Sequence, residues 1–205
     1  RQLTGTGTSN TNAIAIGGYN NPSPAAATAT VEVWNGTAWA EVNNLNAVTN
    51  LQGNSGSSTA ALAFGGNTPP IAGKTELWNG TVWTETTNLS HHTFQQAGNI
   101  GTSAATLSAG GRTSPGAVTA VTEHWNENLA IGAWATSGSL NTGRTALTGA
   151  GTQTAALAFG GYLQPAYPEF SALTESYNGT AWGEVNDMNT ARFGLGGAGT
   201  QTAAL

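Results

Sequence analysis

The side chains of this sequence that could act as nucleophiles or metal ligands are few and scattered. The chain has no cysteine and only one aspartate, Asp187. Thiol nucleophiles, cysteine-ligated metals and a site of paired aspartates are therefore excluded. The adjacent histidines His91 and His92 could ligate a metal, but no carboxylate pair lies near them in the sequence. We predict that they form an exposed polar loop and that the protein binds no metal.

Catalytic motifs are not recognisable either. No set of serine, histidine and carboxylate of the kind used for nucleophilic catalysis can be read from the sequence. The glycine-rich stretches have no lysine and no following helix, so they do not predict a phosphate-binding loop. We predict a protein that is not an enzyme and that needs no cofactor.

Carboxylates recur at one position of a repeat. Four glutamates each stand two residues before an aromatic residue: Glu32, Glu76, Glu123 and Glu175. Four equivalent carboxylates could surround an axis and bind cations. Their strand, however, is the third of each repeat and lies away from the axis of a radial array. We therefore expect each carboxylate to accept hydrogen bonds from a backbone or arginine donor.

Residues suited to ligand recognition are concentrated in the connections that vary between repeats. Aromatic side chains there can stack on the C–H faces of sugar rings, while amides bind hydroxyl groups. Variable loops on a repeated scaffold are a usual position for binding specificity. The alternative is that the aromatic residues only fix each loop to its own sheet. The candidate binding residues are Tyr19, Asn20, Arg112, Tyr162, Gln164, Tyr167, Phe170, His91 and His92.

The composition excludes several kinds of partner. The formal net charge is −5, and only 7% of the residues are charged. Without a basic run to neutralise phosphates, we predict no nucleic-acid binding. No apolar run reaches the roughly 18 residues of a membrane-spanning helix, so we predict no membrane insertion. The sequence starts and ends within a repeat, and we expect it to be part of a larger ring.

One segment organises the chain. The sequence TAALAFGG occupies 154–161 and recurs letter for letter at 59–66. Looser copies end at Gly17-Gly18 and Gly110-Gly111, and a fifth copy begins at Thr202. A period of about 50 residues is typical of radial or stacked repeats.

Each period predicts four short strands and no helix. The first strand is glycine-rich, the second ends in Gly-Gly, and the third and fourth flank a marker such as Trp34–Trp39. The Asn-Gly pair inside this marker predicts a two-residue hairpin turn with positive φ at both residues. The outer strands should bury the ring of Trp39 within a blade. The repeats occupy about 1–46, 47–89, 90–140 and 141–188, with a partial copy at 189–205.

The order of Gly-Gly, an aromatic residue, a tryptophan and an arginine before the next inner strand resembles the Kelch repeat. Arg1, Arg144 and Arg192 stand at the same phase, whereas Thr49 and Phe94 replace the arginine in the other copies. The resemblance covers the whole chain. It implies an all-β, Kelch-like β-propeller of four-stranded blades, of which about four and a half are present in a fold that usually has 4–8.

The Thr/Asn/Gly/Ala-rich style of the repeats is similar to that of Kelch-like repeats in bacteriophage virion proteins and bacterial surface proteins. This similarity implies a structural or adhesive module of a virion appendage or secreted surface protein, located on the virion or outside the cell. The long connections on one face would contact a glycan, a protein receptor or neighbouring subunits. The alternative is an intracellular protein–protein interaction scaffold of Kelch type.

Overall fold

The computed structural model describes residues 4–20, 26–67, 73–98, 100–113, 116–128, 132–164 and 169–205. As predicted, the secondary structure of these residues is entirely β, and four antiparallel sheets are arranged as the blades of a β-propeller. Within these ranges we find no helix with the length and apolar character to cross a bilayer.

The first two blades contain four strands each, which lie side by side in chain order. The first blade and its accessory ribbon comprise β1 (Thr4–Ser9), β2 (Asn12–Ile16), the ribbon strands β3 (Tyr19–Asn20) and β4 (Ala26–Ala27), β5 (Val31–Trp34) and β6 (Trp39–Val42). The second blade comprises β7 (Gly53–Gly56), β8 (Ala61–Phe64), β9 (Thr75–Trp78) and β10 (Trp83–Glu85).

The later blades repeat this order. The third comprises β11 (Ala105–Ala109), β12 (Thr122–Asn126) and β13 (Ala133–Ser137). The fourth comprises β14 (Thr148–Thr152), β15 (Ala155–Phe159), the ribbon strands β16 (Tyr162–Leu163) and β17 (Glu169–Phe170), β18 (Thr174–Tyr177) and β19 (Trp182–Glu184). The partial copy forms the pair β20 (Gly199–Thr200) and β21 (Ala203–Ala204).

The predicted first strand of the third repeat is reduced to two isolated bridges, Ala97 with Ala109 and Gly101 with Thr106. The segment 95–101 is one residue longer than its counterpart 51–56. An extra residue interrupts a regular antiparallel ladder, because it has no partner on the neighbouring strand.

The glycine pairs end the second strands because both residues adopt a left-handed backbone. In the fourth blade, Gly160 has a φ of 69° and Gly161 a φ of 95°. A Cβ atom at Gly160 would lie 2.8 Å from the carbonyl oxygen of Arg192, and the Gly161 N–H donates to that same oxygen at 2.8 Å. The pair therefore holds the connection that leaves the blade, which explains its recurrence.

The hydrophobic core lies between blades. Trp78 and Trp83 of the second blade pack in one buried cluster with Val31 of the first. Tyr177 of the fourth blade packs in another cluster with Leu107 of the third. The aromatic pairs of the second and fourth blades thus pack on the blade that precedes each of them.

Three of the four recurring glutamates accept backbone hydrogen bonds, as predicted, and so join the blades at these same interfaces. Each carboxylate accepts a hydrogen bond from a backbone N–H in the connection that precedes its own blade. The pairs are Glu76 with Asn46 at 2.9 Å, Glu123 with Ser90 at 3.1 Å and Glu175 with Asn141 at 2.7 Å. These three glutamates therefore have a structural role.

The expectation that Trp39 is buried is wrong. Its side chain is 50% exposed, whereas Trp83 and Trp182 at the same phase are each 6% exposed. The physical reason is the direction in which the aromatic pairs face. They pack on the preceding blade, and within the described residues no blade precedes the first.

The predicted turn between the third and fourth strands also needs correction. Gly36 has a φ of 96°, but Asn35 does not have a positive φ. The Asn35 side chain instead accepts hydrogen bonds from the backbone N–H groups of Thr37 and Ala38, at 2.9 and 3.0 Å. The asparagine stabilises the turn through its side chain, and only the glycine supplies the left-handed residue.

Candidate ligand-binding site at the mouth of the propeller

The connections that enter the blades surround one end of the propeller axis. Leu51, Gln95 and Ala146 have positive φ values of 56°, 55° and 51°, and Gly194 has a φ of 62°. The N–H of Gln95 donates to the carbonyl of Leu51 at 2.8 Å, and the N–H of Ala146 donates to that of Gln95 at 2.9 Å. The N–H of Gly194 donates to the carbonyl of Ala146 at 2.9 Å. Left-handed backbone is uncommon for residues other than glycine. This series of hydrogen bonds stabilises the left-handed backbone around one opening.

A cavity of about 700 Å³ lies inside this opening, a volume within the usual range of small-molecule sites. None of the described residues that line it is charged. Its polar side chains are amides and threonines, and its aromatic side chains come from the fourth blade and the segment that follows. The lining includes Gln52, Asn54, Gln96, Tyr162, Phe170 and Phe193.

Three amide side chains of the cavity lining carry buried atoms without a hydrogen-bond partner among the described residues. They are the Oε1 atoms of Gln52 and Gln96 and the Nδ2 atom of Asn54. The three residues are only 4%, 6% and 2% exposed. A buried polar atom without a partner costs roughly 1–3 kcal/mol. These atoms are fully buried, so they belong to the packing between blades and are not open to the cavity.

The orientation of the two glutamine amides follows from their other contacts. Gln52 Nε2 donates to the carbonyl of Ile16 at 2.8 Å, and Gln96 Nε2 donates to the carbonyl of Phe64 at 3.0 Å. Both carbonyls end the second strand of the preceding blade. Since the nitrogen of each amide is occupied in this way, its free atom is the acceptor oxygen.

Three aromatic rings form a cluster at the edge of the cavity. The rings of Phe170 and Phe193 are stacked, with centroids 4.8 Å apart and planes 23° apart. Tyr162 meets Phe193 edge to face at 5.6 Å. Tyr162 is buried, but Phe170 and Phe193 remain 44% and 48% exposed. The stacked pair therefore offers an apolar surface to a ligand.

The structure brings together only some of the predicted binding residues. Tyr162 and Phe170 both line the cavity, whereas Gln164 is exposed beside their ribbon and outside the lining. Tyr19 and the backbone of Asn20 lie in the ribbon of the first blade, also outside the lining. Tyr167 lies outside the described residues.

Arg112 belongs to a separate contact in the third blade. Its guanidinium lies 5.9 Å from the centroid of the Phe94 ring, and its Nε donates to the carbonyl of Gly116 at 3.2 Å. The backbones of Arg112 and Phe94 form an isolated bridge. These contacts hold the third connection together rather than lining the opening.

The two adjacent histidines also lie away from the cavity. Both are exposed, as predicted, and the backbone N–H of His91 donates to Glu123 at 3.1 Å. The ring Nδ1 of His91 lies 3.9 Å from the same carboxylate oxygen. Among the described residues, no group of three or more His, Asp and Glu side chains is placed to hold a metal.

Sequence reasoning missed Gln52, Asn54, Gln96 and Phe193 as site residues. The two glutamines could have been noticed from their position in the repeat, where each directly follows a left-handed residue. Later repeats have Leu147 and Leu195 at the same position. A glutamine at a position where other repeats have a buried leucine departs from the pattern of the repeat. It requires a polar partner.

A second cavity of about 740 Å³ lies at the opposite end, where the turns between first and second strands meet. Its described lining consists mainly of glycine and small residues, with Trp39 as its aromatic side chain and Glu32 beside it. Its described lining lacks both the clustered aromatic rings and the amide side chains. The first cavity is therefore the better candidate for a ligand site.

Comparison with known proteins supports the fold alone. No protein-family model matches the chain, and no curated protein matches it. Among solved structures, that of YjhT resembles it with a TM-score of 0.78 at 10% sequence identity. The match covers 96% of this chain and 73% of YjhT. At this identity, the likeness shows a propeller arrangement and nothing about ligands.

Proposed function

We propose that this chain is a non-enzymatic, Kelch-like propeller module that binds a glycan through the cavity on its long-loop face. We further propose that it acts as a structural or adhesive part of a virion appendage or secreted surface protein. The propeller fold is compatible with a binding module. The repeat style of the sequence supports the proposed setting.

The observation that carries the proposal is the stacked pair Phe170 and Phe193 beside an uncharged, amide-lined cavity. An exposed aromatic face can cover the C–H face of a sugar ring, and the accessible polar groups of the lining can bind its hydroxyl groups. Phe170 comes from the fourth blade and Phe193 from the connection that follows it. Their joint exposure favours a binding surface over a purely structural contact.

The test is retention on a glycan array by the wild-type protein and by the variants Phe170→Ala and Phe193→Ala. Loss of a stacked ring should weaken retention by about tenfold. Trp39→Ala is a matched control, because Trp39 is equally exposed but lines the opposite cavity.

Retention should survive the Trp39→Ala change. If no glycan is retained at saturating protein concentration, the glycan proposal is wrong. The same face is then better explained as the binding surface of a protein–protein interaction scaffold.

A further inference from the structure

We propose that Asn35, Asn79 and Asn178, in the turns between third and fourth strands, are sites of spontaneous deamidation in the folded protein. Each asparagine is followed by a glycine, whose backbone nitrogen attacks the side-chain amide. The reaction needs no enzyme and gives three equivalent turns a carboxylate. None of the three asparagines lines the cavity at the mouth of the propeller, so the reaction is independent of ligand binding there.

The glycine nitrogens that act as nucleophiles are free to react. The N–H groups of Gly36, Gly80 and Gly179 donate to no atom among the described residues. Glycine has no side chain to hinder the approach to its nitrogen. All three asparagines are exposed, so water reaches the reacting groups.

The electrophile in each turn is a carbonyl that already accepts two hydrogen bonds. Backbone N–H groups two and three residues further along the chain donate to the asparagine Oδ1 at 2.9 and 3.0 Å in all three turns. Negative charge develops on this oxygen when the nitrogen attacks Cγ, and the two donors stabilise it as an oxyanion hole does. The donors are Thr37 and Ala38, Thr81 and Val82, and Thr180 and Ala181.

The reaction consumes only water. The lone pair of the glycine nitrogen forms a bond to Cγ, the N–H proton passes through solvent to the departing amide, and the Cγ–Nδ2 bond breaks to release ammonia. The product is a five-membered succinimide ring. Water then adds to one of its two carbonyls and breaks that C–N bond, which gives aspartate or isoaspartate.

The third repeat provides a natural control within the same chain. Asn126 is also exposed, and its Oδ1 accepts a hydrogen bond from the N–H of Asn128 at 2.9 Å. The next residue is Glu127, however, and its N–H already donates to the carbonyl of Ala104 at 3.0 Å. Asn126 thus has a similar side-chain contact but no free nucleophile, and we expect it to persist as asparagine.

The aspartate product fits the same turn. A carboxylate oxygen accepts the same two N–H bonds, and its charge strengthens them. Isoaspartate instead adds one carbon to the backbone and disturbs the pairing of Trp34 with Trp39. Three conversions change the formal net charge from −5 to −8, because each adds one negative charge.

The experiment is incubation of the full chain in mildly alkaline buffer, with one sample folded and another unfolded in urea. Peptide mapping by mass spectrometry then measures the replacement of amide by carboxyl at each asparagine. In the folded sample, we expect conversion at Asn35, Asn79 and Asn178 to be at least about tenfold faster than at Asn126.

Two variants test whether the turn accepts the product. Asn79→Asp reproduces it and should unfold at the temperature of the wild-type protein. Asn79→Ala removes the acceptor and should unfold at a lower temperature, because the side-chain contact stabilises the turn. Equal destabilisation by the two changes would contradict the retained turn.

Three results of the incubation overturn the proposal. One is conversion at Asn126 that is as fast as at the Asn-Gly sites. Another is conversion in urea alone, which would show that the folded turn protects its asparagine. The third is the absence of conversion in both samples.

Discussion

The guanidinium of Arg144 and the carboxylate of Glu175 form a buried ion pair between the third connection and the fourth blade. Arg144 Nη2 lies 3.0 Å from Glu175 Oε1, and the side chains are 0% and 1% exposed. Arg144 Nη1 also donates to the carbonyls of Gly160 and Leu173, at 3.1 and 2.6 Å. The arginine thus caps the end of one strand and neutralises the glutamate of the next.

Removing the arginine should be strongly destabilising. Arg144→Met leaves the Glu175 carboxylate buried beside unpaired carbonyls, and we expect a loss of about 3–5 kcal/mol in the free energy of unfolding. Urea denaturation measures the change. The control is Lys74→Met, which removes an exposed pair with Glu85 and should cost at most about 1 kcal/mol. A similar small loss for Arg144→Met would contradict the assigned role of this pair.

The two tryptophans at one phase should respond differently to truncation. Trp83 is 6% exposed and packs on the first blade, whereas Trp39 is 50% exposed. Trp83→Ala should cost about 3–5 kcal/mol because it opens a buried cavity. Trp39→Ala should cost less than about 1 kcal/mol, since much of its ring already contacts water. Denaturation curves of the two variants measure both losses in the free energy of unfolding. Equal losses would show that another segment packs on the Trp39 ring.

The burial of His124 should make stability depend on pH. His124 Nε2 lies 2.7 Å from the Tyr177 hydroxyl, and burial lowers the pKa of His124 below its usual value of 6.5. Below pH 6.5 the unfolded chain therefore binds a proton that the folded protein excludes. With respect to this group, the free energy of unfolding should be highest above pH 6.5. It should fall as the pH decreases below 6.5, by at most about 1.4 kcal/mol per pH unit.

Stability curves between pH 5 and 8 test this prediction. His124→Leu should remove this fall in the free energy of unfolding below pH 6.5, because leucine does not titrate. The second blade already has a leucine, Leu77, at the equivalent position. His92→Gln is the control, since His92 is exposed. An unchanged pH profile in His124→Leu would assign the effect to other groups.

Two left-handed glycines should differ in their tolerance of alanine. A Cβ at Gly160 would lie 2.8 Å from the backbone oxygen of Arg192, while a Cβ at Gly194 would meet no atom within 4 Å. Their φ values, 69° and 62°, are similar. Both changes should cost the roughly 1–2 kcal/mol of a left-handed alanine, and Gly160→Ala should cost clearly more. Thermal unfolding compares them, and equal losses would mean that the backbone at Arg192 moves without cost.

Much of the site could not be predicted from the sequence, but the aromatic residues of the ribbon could. Tyr162 and Phe170 stood out because they are aromatic residues in a connection that varies between repeats. Gln52 and Gln96 did not, because a single glutamine in a glycine-rich strand carries no local sign of burial. Whether its amide finds a partner depends on a carbonyl in the preceding blade.

The sequence by itself determined the repeat, the four-strand blade and the positions of the glycine pairs. These features depend on local rules: alternation along a strand, left-handed φ at glycine, and turn residues at fixed spacing. Only the tertiary structure decided which side chains meet at the mouth of the propeller and which aromatic pair stays exposed. Burial of Trp83 and exposure of Trp39 follow from the blade that packs on each, a contact between distant segments that no local pattern of residues contains.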